Sequence, residues 1–225
     1  MNAPEIQPVD YFSLAHPFRR IASAISCRAR RQMFLRFMEL IGPNQDSTIL
    51  DVGVTPDQAL PESNFFEQLY PYKEKITATS YEDASFLETK FPGLHFVRTV
   101  GQKLPFNDLA FDIVVSLAVL EHVGDRAMQQ AFLSELFRVG HRVFVTTPNR
   151  GFPIELHTFL PFIHWLPRSR HQALLRFLGF HFLAKTENLN LVDSRELPSL
   201  LPVDCGARIH RHKLLGLTSN LIVVR

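Results

Sequence analysis

From residue 46 to residue 149 the chain alternates short apolar runs with stretches of helical period, and this alternation restricts the fold more than any other feature. "STILDVG" is a short, fully apolar type of strand, followed by a turn and a helix around "ESNFFEQLY". "KITATS" gives a second strand and "DASFLETKF" a second helix, while "LHFVRT" and "AFDIVVSLAVL" give a third and a fourth strand. "DRAMQQAFLSELFRVG" reads as a helix with Asp125 as cap, Gly140 as stop, and Met128, Phe132, Leu136 and Val139 on its inner face. "HRVFVTTPN" is a fifth strand ending at Pro148. Strands that are apolar on both faces must be covered on both faces. The pattern therefore predicts an α/β protein with a parallel sheet between two layers of helices.

The flanks obey different rules. "HPFRRIASAISCRARRQMFLRFMELIG" predicts a helix, with Pro17 suited to its first position, Gly42 to its stop, and Ile21, Ile25, Ala29 and Met33 recurring every fourth residue. Residues 150–183 are rich in Phe, Pro, His and Arg, with little strand character, and read as an insertion or lid. "ENLNLVDSRELPSLL" returns to a strand-like stretch, a cap at Asp193 or Ser194, and a short helix. "ARIHRHKLLGLTSNLIVVR" predicts two extended segments joined through Gly216, an antiparallel hairpin at the sheet edge. A chain of 225 residues suffices for one buried core. The reading is one domain: a helical extension over 1–45, a core over 46–149, a lid over 150–185, and the last part of the sheet over 186–225.

Composition removes several classes of function. A net charge of +2 implies no strong field for nucleic acid, so no nucleic-acid partner is expected. Cys27 and Cys205 are far apart and form no CxxC pair, against a disulfide or zinc framework. The opening "MNAPEIQPVDYFS" lacks the basic start and apolar core of a secretory signal, and no apolar run is long enough to span a bilayer. The expected location is cytoplasmic.

In an open parallel sheet, ligands bind beyond the carboxyl ends of the strands, where strand order reverses. The stretches 51–57, 80–83, 99–104, 116–122 and 146–149 should therefore converge. Three of the strand-end runs, "ILDVG", "LPFNDLAFDIVVSLAVLEHVGD" and "ELFRVGHRVFVTTPN", follow one another in an order and spacing that resembles the class I S-adenosylmethionine-dependent methyltransferases. The resemblance is closest to the small-molecule, methyltransferase type 11 group related to the quinone-pathway enzymes. It implies a Rossmann-like, seven-stranded, mostly parallel sheet with helices on both faces and an antiparallel edge hairpin. It also implies S-adenosylmethionine as cofactor and methyl transfer to a small-molecule or lipid-linked acceptor.

Carried over residue by residue, the resemblance implies cofactor contacts from Asp51, Gly53, Val54, Ser80, Glu82, Gly101, Gln102, Leu104, Ser116, Leu117 and His122. It places Glu121 and His122 near the methyl-transfer centre. By position, Asn149 at the end of the fifth strand, with Glu155 and His157 beyond it, is expected to face the acceptor. The chain also departs from the family pattern. Thr55 and Asp57 stand where glycines are usual, Ser80 where an acidic residue meets the ribose, and Val100 where another meets the adenine. Related enzymes can carry a metal-binding acid three positions before the Glu-His pair; here that position is Ala118, so no such metal site is expected. These departures sustain an alternative, a catalytically silent methyltransferase-like scaffold or binding protein. A nicotinamide dehydrogenase would need a GxGxxG turn, which is absent.

Individual residues admit two readings each. Asp51 orients the cofactor's amino group or satisfies backbone donors in its turn. Ser80 and Asp83 have the spacing of a helix capping box, which leaves Glu82 for a ribose contact. His122 removes a substrate proton, or it packs over the cofactor. His157, His164 and His171 recur every seventh residue, but Pro161 and Pro167 interrupt any helix that would align them as ligands. Phe159, Phe162 and Trp165 suit an aromatic lid. With Arg168, Arg170 and the arginines of the first helix, they also suit a peripheral contact with the inner face of a membrane.

Overall fold

The computed structural model describes residues 19–58, 60 and 63–225, with side chains from residue 27 onward. Pro17 and the side chains of Ile21 and Ile25 lie outside the described residues. The seven strands β1 (Ile49–Val52), β2 (Ile76–Ser80), β3 (His95–Arg98), β4 (Phe111–Leu117), β5 (Gly140–Pro148), β6 (Arg208–Leu214) and β7 (Leu217–Val224) form one sheet in the order β3-β2-β1-β4-β5-β7-β6. The first five are parallel neighbours, and β7 joins β5 antiparallel. Strand order reverses between β1 and β4, which puts the binding crevice beyond their carboxyl ends.

Side-chain alternation sorts the central strands between two cores. Leu50, Val52, Val114, Val143 and Val145 pack under α4 (Arg126–Val139), with its Phe132, Leu133 and Leu136. Ile49, Ile113, Val115 and Phe144 point the other way, onto Met33, Phe37 and Ile41 of α1 (Arg19–Ile41) and Phe66 of α2 (Phe65–Leu69). Helix α1 thus closes one face of the sheet and ends as expected at Gly42, whose φ of 60° and N–H bond to the Met38 carbonyl finish the helix. The edge hairpin also forms as expected, with Leu215 and Gly216 both left-handed, as a two-residue turn of matching twist requires.

Four local expectations are corrected. Met128 is 46% exposed, because the inner face of α4 runs instead through buried Gln129, Phe132, Leu133, Leu136 and Phe137. Gly140 is extended and opens β5 directly, rather than stopping the helix in a left-handed turn; a Cβ there would meet Val114 Cγ2 at 2.4 Å. The stretch "ENLNLVD" makes only one bridge, Asn149 to Val192, because its neighbours bond to loops instead. The short α3 (Phe86–Lys90) starts later than the Ser80–Asp83 spacing suggests. Ser80 Oγ accepts from Glu82 N, Asp83 Oδ1 accepts from Ser85 N, and no capping box forms.

The insertion contains a helix, α5 (Arg168–Phe177), that begins directly after Pro167. It packs over a small core of Leu175, Leu183, Leu189 and Leu191. No helix among the described residues is long and apolar enough to cross a membrane.

Candidate active site at the carboxyl ends of the strands

The turn after β1 is held without the usual glycines. Gly53 and Val54 donate their N–H groups to the Thr79 carbonyl, and Gly53 has a φ of 102° that only glycine adopts freely. Val119 covers it, since a Cβ on Gly53 would lie 2.4 Å from Val119 Cγ2. Thr55 and Asp57 knit the following residues together through side chains. Thr55 N donates to Asn64 Oδ1, Asn64 Nδ2 returns to the Thr55 carbonyl, and Asp57 Oδ2 accepts from Ser63 Oγ and Leu60 N. Side-chain bonds do here what glycine conformations do elsewhere.

Asp51 points away from the α4 side of β1 and faces Glu67 of α2, both carboxyls being buried. Burial, and then the neighbouring Glu67, raises the Asp51 pKa well above the usual carboxylate range; burial also raises that of Glu67. Neither Glu67 oxygen meets an N–H or O–H donor. Two such carboxyls cannot both ionise at small cost, so the pair holds a proton or a cation. Glu67 was not legible as a site residue, because "FFEQL" has the look of an ordinary amphipathic turn.

The remaining cofactor candidates divide into crevice and core. Ser80 is buried at the end of β2, with half-buried Glu82 above it, whose pKa burial raises. Ser116 Oγ donates to the Val52 carbonyl, locking β4 to β1 at the crossover, and Leu117 packs toward α1. Gln102 Nε2 donates to the Val123 carbonyl, tying the loop after β3 to the loop after β4. Leu104 is a core residue, and Gly101 sits against Phe132, whose Cε2 would be 2.4 Å from a Cβ at that position. Asn149 spends its side chain on backbone: its Nδ2 donates to the Thr218 carbonyl and its Oδ1 accepts from Gly151 N.

A buried polar cluster lies beyond β4 and β5. The chain leaves β4 through Ala118, at a φ of 58°, and turns through the 3-10 segment Leu120–His122. Glu121 is thereby buried, with Oε2 accepting from Thr147 Oγ1 at 2.9 Å and Oε1 meeting no donor. His122 Nδ1 lies 2.6 Å from the Asn188 carbonyl and must therefore donate to it. The insertion supplies the rest: His157 Nε2 is 3.1 Å from His122 Nε2, and His157 Nδ1 is 2.7 Å from Glu155 Oε1. Glu155 also accepts from His157 N, Thr158 N and Thr158 Oγ1.

The electrostatics follow from these contacts. Burial pushes Glu121 up to about 7. Burial, and then His157, pushes His122 down to about 3. Burial acts to raise Glu155, but His157 and the hydrogen bonds outweigh it and bring the carboxyl down to about 2. Burial acts to lower His157, and Glu155 outweighs it, leaving the imidazole more basic than usual. At neutral pH the cluster therefore combines a neutral His122 with a His157 held toward its charged form by Glu155.

The residues fit S-adenosylmethionine. Its sulfonium and ammonium groups are cations, and the Asp51–Glu67 pair is a buried acidic group whose Glu67 oxygens lack donors. At the end of β2, Ser80 and Glu82 carry oxygens of the kind that a ribose hydroxyl would meet.

Comparison with known proteins agrees with the geometry. Residues 56–142 match the family model described as a methyltransferase domain. No curated protein sequence matches the chain. Among solved structures, it is similar to magnesium protoporphyrin IX methyltransferase from Synechocystis, at 14% identity and a TM-score of 0.56, over 96% of this chain and 90% of the other. It is also similar to N-methyltransferase NodS from Bradyrhizobium japonicum, at 13% identity and a TM-score of 0.51, over 94% and 88%. A third similar structure is a methyltransferase from Aquifex aeolicus, at 15% identity and a TM-score of 0.52, over 85% and 87%. These likenesses carry the fold, and the domain match covers its central part. Residues 56–142 thus carry a match to a methyltransferase domain, within a fold that the chain shares with S-adenosylmethionine-dependent methyltransferases.

Proposed function

We propose that the chain methylates a hydroxyl or amine of a small or lipid-linked molecule, in the space between the carboxyl ends of β4 and β5 and the insertion. The observation that carries this reading is the relay from His122 through His157 to Glu155, with contacts of 3.1 and 2.7 Å. An acceptor that arrives protonated needs a neutral base near the transfer point and a place for the proton to rest. His122 is neutral, and its side chain is 15% exposed, so it is open to an acceptor on one side only. Its Nδ1–H is fixed on the Asn188 carbonyl, leaving Nε2 as the basic atom. From the state in which His157 Nε2 has lost its proton, the proton taken up at His122 Nε2 passes to His157 Nε2, where Glu155 stabilises the resulting imidazolium.

S-adenosylmethionine, when bound, supplies the electrophilic methyl group. Asp51 and Glu67 hold its cationic end, Ser80 and Glu82 its ribose, and the packed side chains around β4 keep water away. Holding methyl and nucleophile in line supplies much of the rate. The exposed rings of Phe162 and Trp165, with centroids 4.8 Å apart on the insertion, support delivery of the acceptor from a lipid boundary.

The decisive measurement is calorimetric titration with S-adenosylmethionine and S-adenosylhomocysteine, followed by S-adenosylhomocysteine release across a panel of phenols, amines and lipid quinols. The expected result is micromolar cofactor binding that Asp51→Ala weakens. In His122→Ala, turnover should fall by about 10²–10⁴ with little change in KM for the cofactor. Absence of cofactor binding in the folded protein would sink the reading.

A further inference from the structure

Three side chains, adjacent Glu121 and His122 after β4 and His157 from the insertion, bring one donor atom each into a common space. Glu121 Oε1, His122 Nε2 and His157 Nε2 all lie within 4.8 Å of one another. The two imidazole nitrogens are 3.1 Å apart, and His122 Nε2 is 3.9 Å from Glu121 Oε1. Each imidazole has its outer nitrogen held by an oxygen acceptor, His122 Nδ1 by the Asn188 carbonyl and His157 Nδ1 by Glu155. That arrangement turns both Nε2 atoms inward, with one proton shared between them, and it is the outer-shell geometry that orients metal-ligating histidines. The third donor stands independently of the histidines. Glu121 is fully buried, its Oε2 is anchored by Thr147, and its Oε1 is aimed into the same space with no hydrogen-bond partner.

We propose that Glu121, His122 and His157 form a binding site for a divalent first-row transition ion of the zinc type, with an open coordination position toward the acceptor space. Two imidazole nitrogens and one carboxylate oxygen make the donor set of a three-ligand site of this kind, whereas magnesium and calcium prefer oxygens. Bond lengths near 2.0–2.1 Å place tetrahedral ligands about 3.3 Å apart, so the histidine pair is already at working distance, and Glu121 has to close by about 0.6 Å on His122 and by up to about 1.5 Å on His157. The site differs from the one the sequence argument dismissed at Ala118. Its third ligand comes from the insertion, 35 residues beyond His122. The inference rests on the methyltransferase reading only for the purpose of the open position: the ion replaces the proton shared by the histidine pair and presents an acidified acceptor oxygen to the methyl group.

The test uses the full chain, stripped with a chelator and titrated with Co2+. Its visible absorption reports coordination number, and Zn2+ competition gives affinity. The expected outcome is one ion per chain with the bands of a four- or five-coordinate nitrogen and oxygen site, displaced by Zn2+. His157→Ala and Glu121→Gln should each weaken binding about tenfold or more, and His95→Ala, at an exposed position of β3, should leave it unchanged. Circular dichroism checks the fold, and His157→Gln replaces the alanine variant if that one unfolds. Absence of the bands up to millimolar Co2+, or bands that survive both ligand substitutions, would overturn the site. Calorimetry with S-adenosylhomocysteine on the same protein separates the two readings. Nucleoside binding without Co2+ binding removes the metal alone, and Co2+ binding without nucleoside binding keeps the metal and removes the methyltransferase role.

Discussion

At the scale of single residues, the buried Asp51–Glu67 pair makes a prediction whose sign is fixed. Both folded pKa values are raised by burial, so above about pH 4, where unfolded carboxyls ionise, the folded state keeps a proton that the unfolded state has lost. Stability therefore falls as pH rises from about 4 through the folded pKa. Glu67→Gln should raise the melting temperature at neutral and alkaline pH, with the difference from the unmodified chain narrowing toward pH 4. Thermal denaturation over a pH series decides it; an increment constant with pH would mean that the pair is not titrating. Gly53 gives a second prediction. Its φ of 102° and the nearness of Val119 make Gly53→Ala destabilising by more than about 1 kcal/mol. Val119→Ala in the same background should recover only the contact part of the loss, as read from denaturant midpoints.

At the scale of elements, α1 is the case where position matters more than propensity. Phe37 is buried at the centre of an edge-to-face cluster, 5.1 Å from the Phe66 ring and 5.4 Å from the Phe144 ring. It joins the first helix to α2 and to the middle of β5. Phe37→Ala should cost about 3–5 kcal/mol, whereas exposed Leu35→Ala on the same helix should stay within about 0.5 kcal/mol. Equal effects from both would mean that α1 does not close the sheet. On the opposite face, Asp125 caps α4 by accepting from Met128 N at 2.9 Å, and Asp125→Ala should cost about 1 kcal/mol. The strands and α4 were legible because burial on both faces leaves continuous apolar runs, and because a cap and a period of 3.6 mark the helix. Helix α5 was not, since "RSRHQALLRF" carries a narrow apolar stripe amid charge and aromatic residues.

At the scale of the whole molecule, the crevice and the insertion act as one unit. The Asn190 N–H donates to the Glu121 carbonyl, Asn190 Nδ2 to the Gly124 carbonyl, and Gln129 Nε2 to the carbonyls of Leu120 and Asn190. The segment after the insertion is thus bolted to the turn that carries His122. A ligand that engages the crevice should stabilise the whole fold. S-adenosylhomocysteine at a hundred times its dissociation constant should add about 2.7 kcal/mol, seen as a thermal shift that Asp51→Ala removes.

The sequence by itself determined the alternation of strands and helices over residues 46–149, the two-sided core and the hairpin through Gly216. These follow from local periodicity, burial pattern and turn chemistry, which short stretches carry in full. It also put Asp51, Gly53, Glu121 and His122 near the crossover, because strand ends in such a sheet have one place to go. Only the tertiary structure decided that Glu67 faces Asp51, that Asn149 and Gly101 serve backbone and core, and that His157 and Glu155 meet His122. Those pairings span distant parts of the chain. Their geometry depends on how a helix or an insertion packs over the sheet, and no local pattern encodes that.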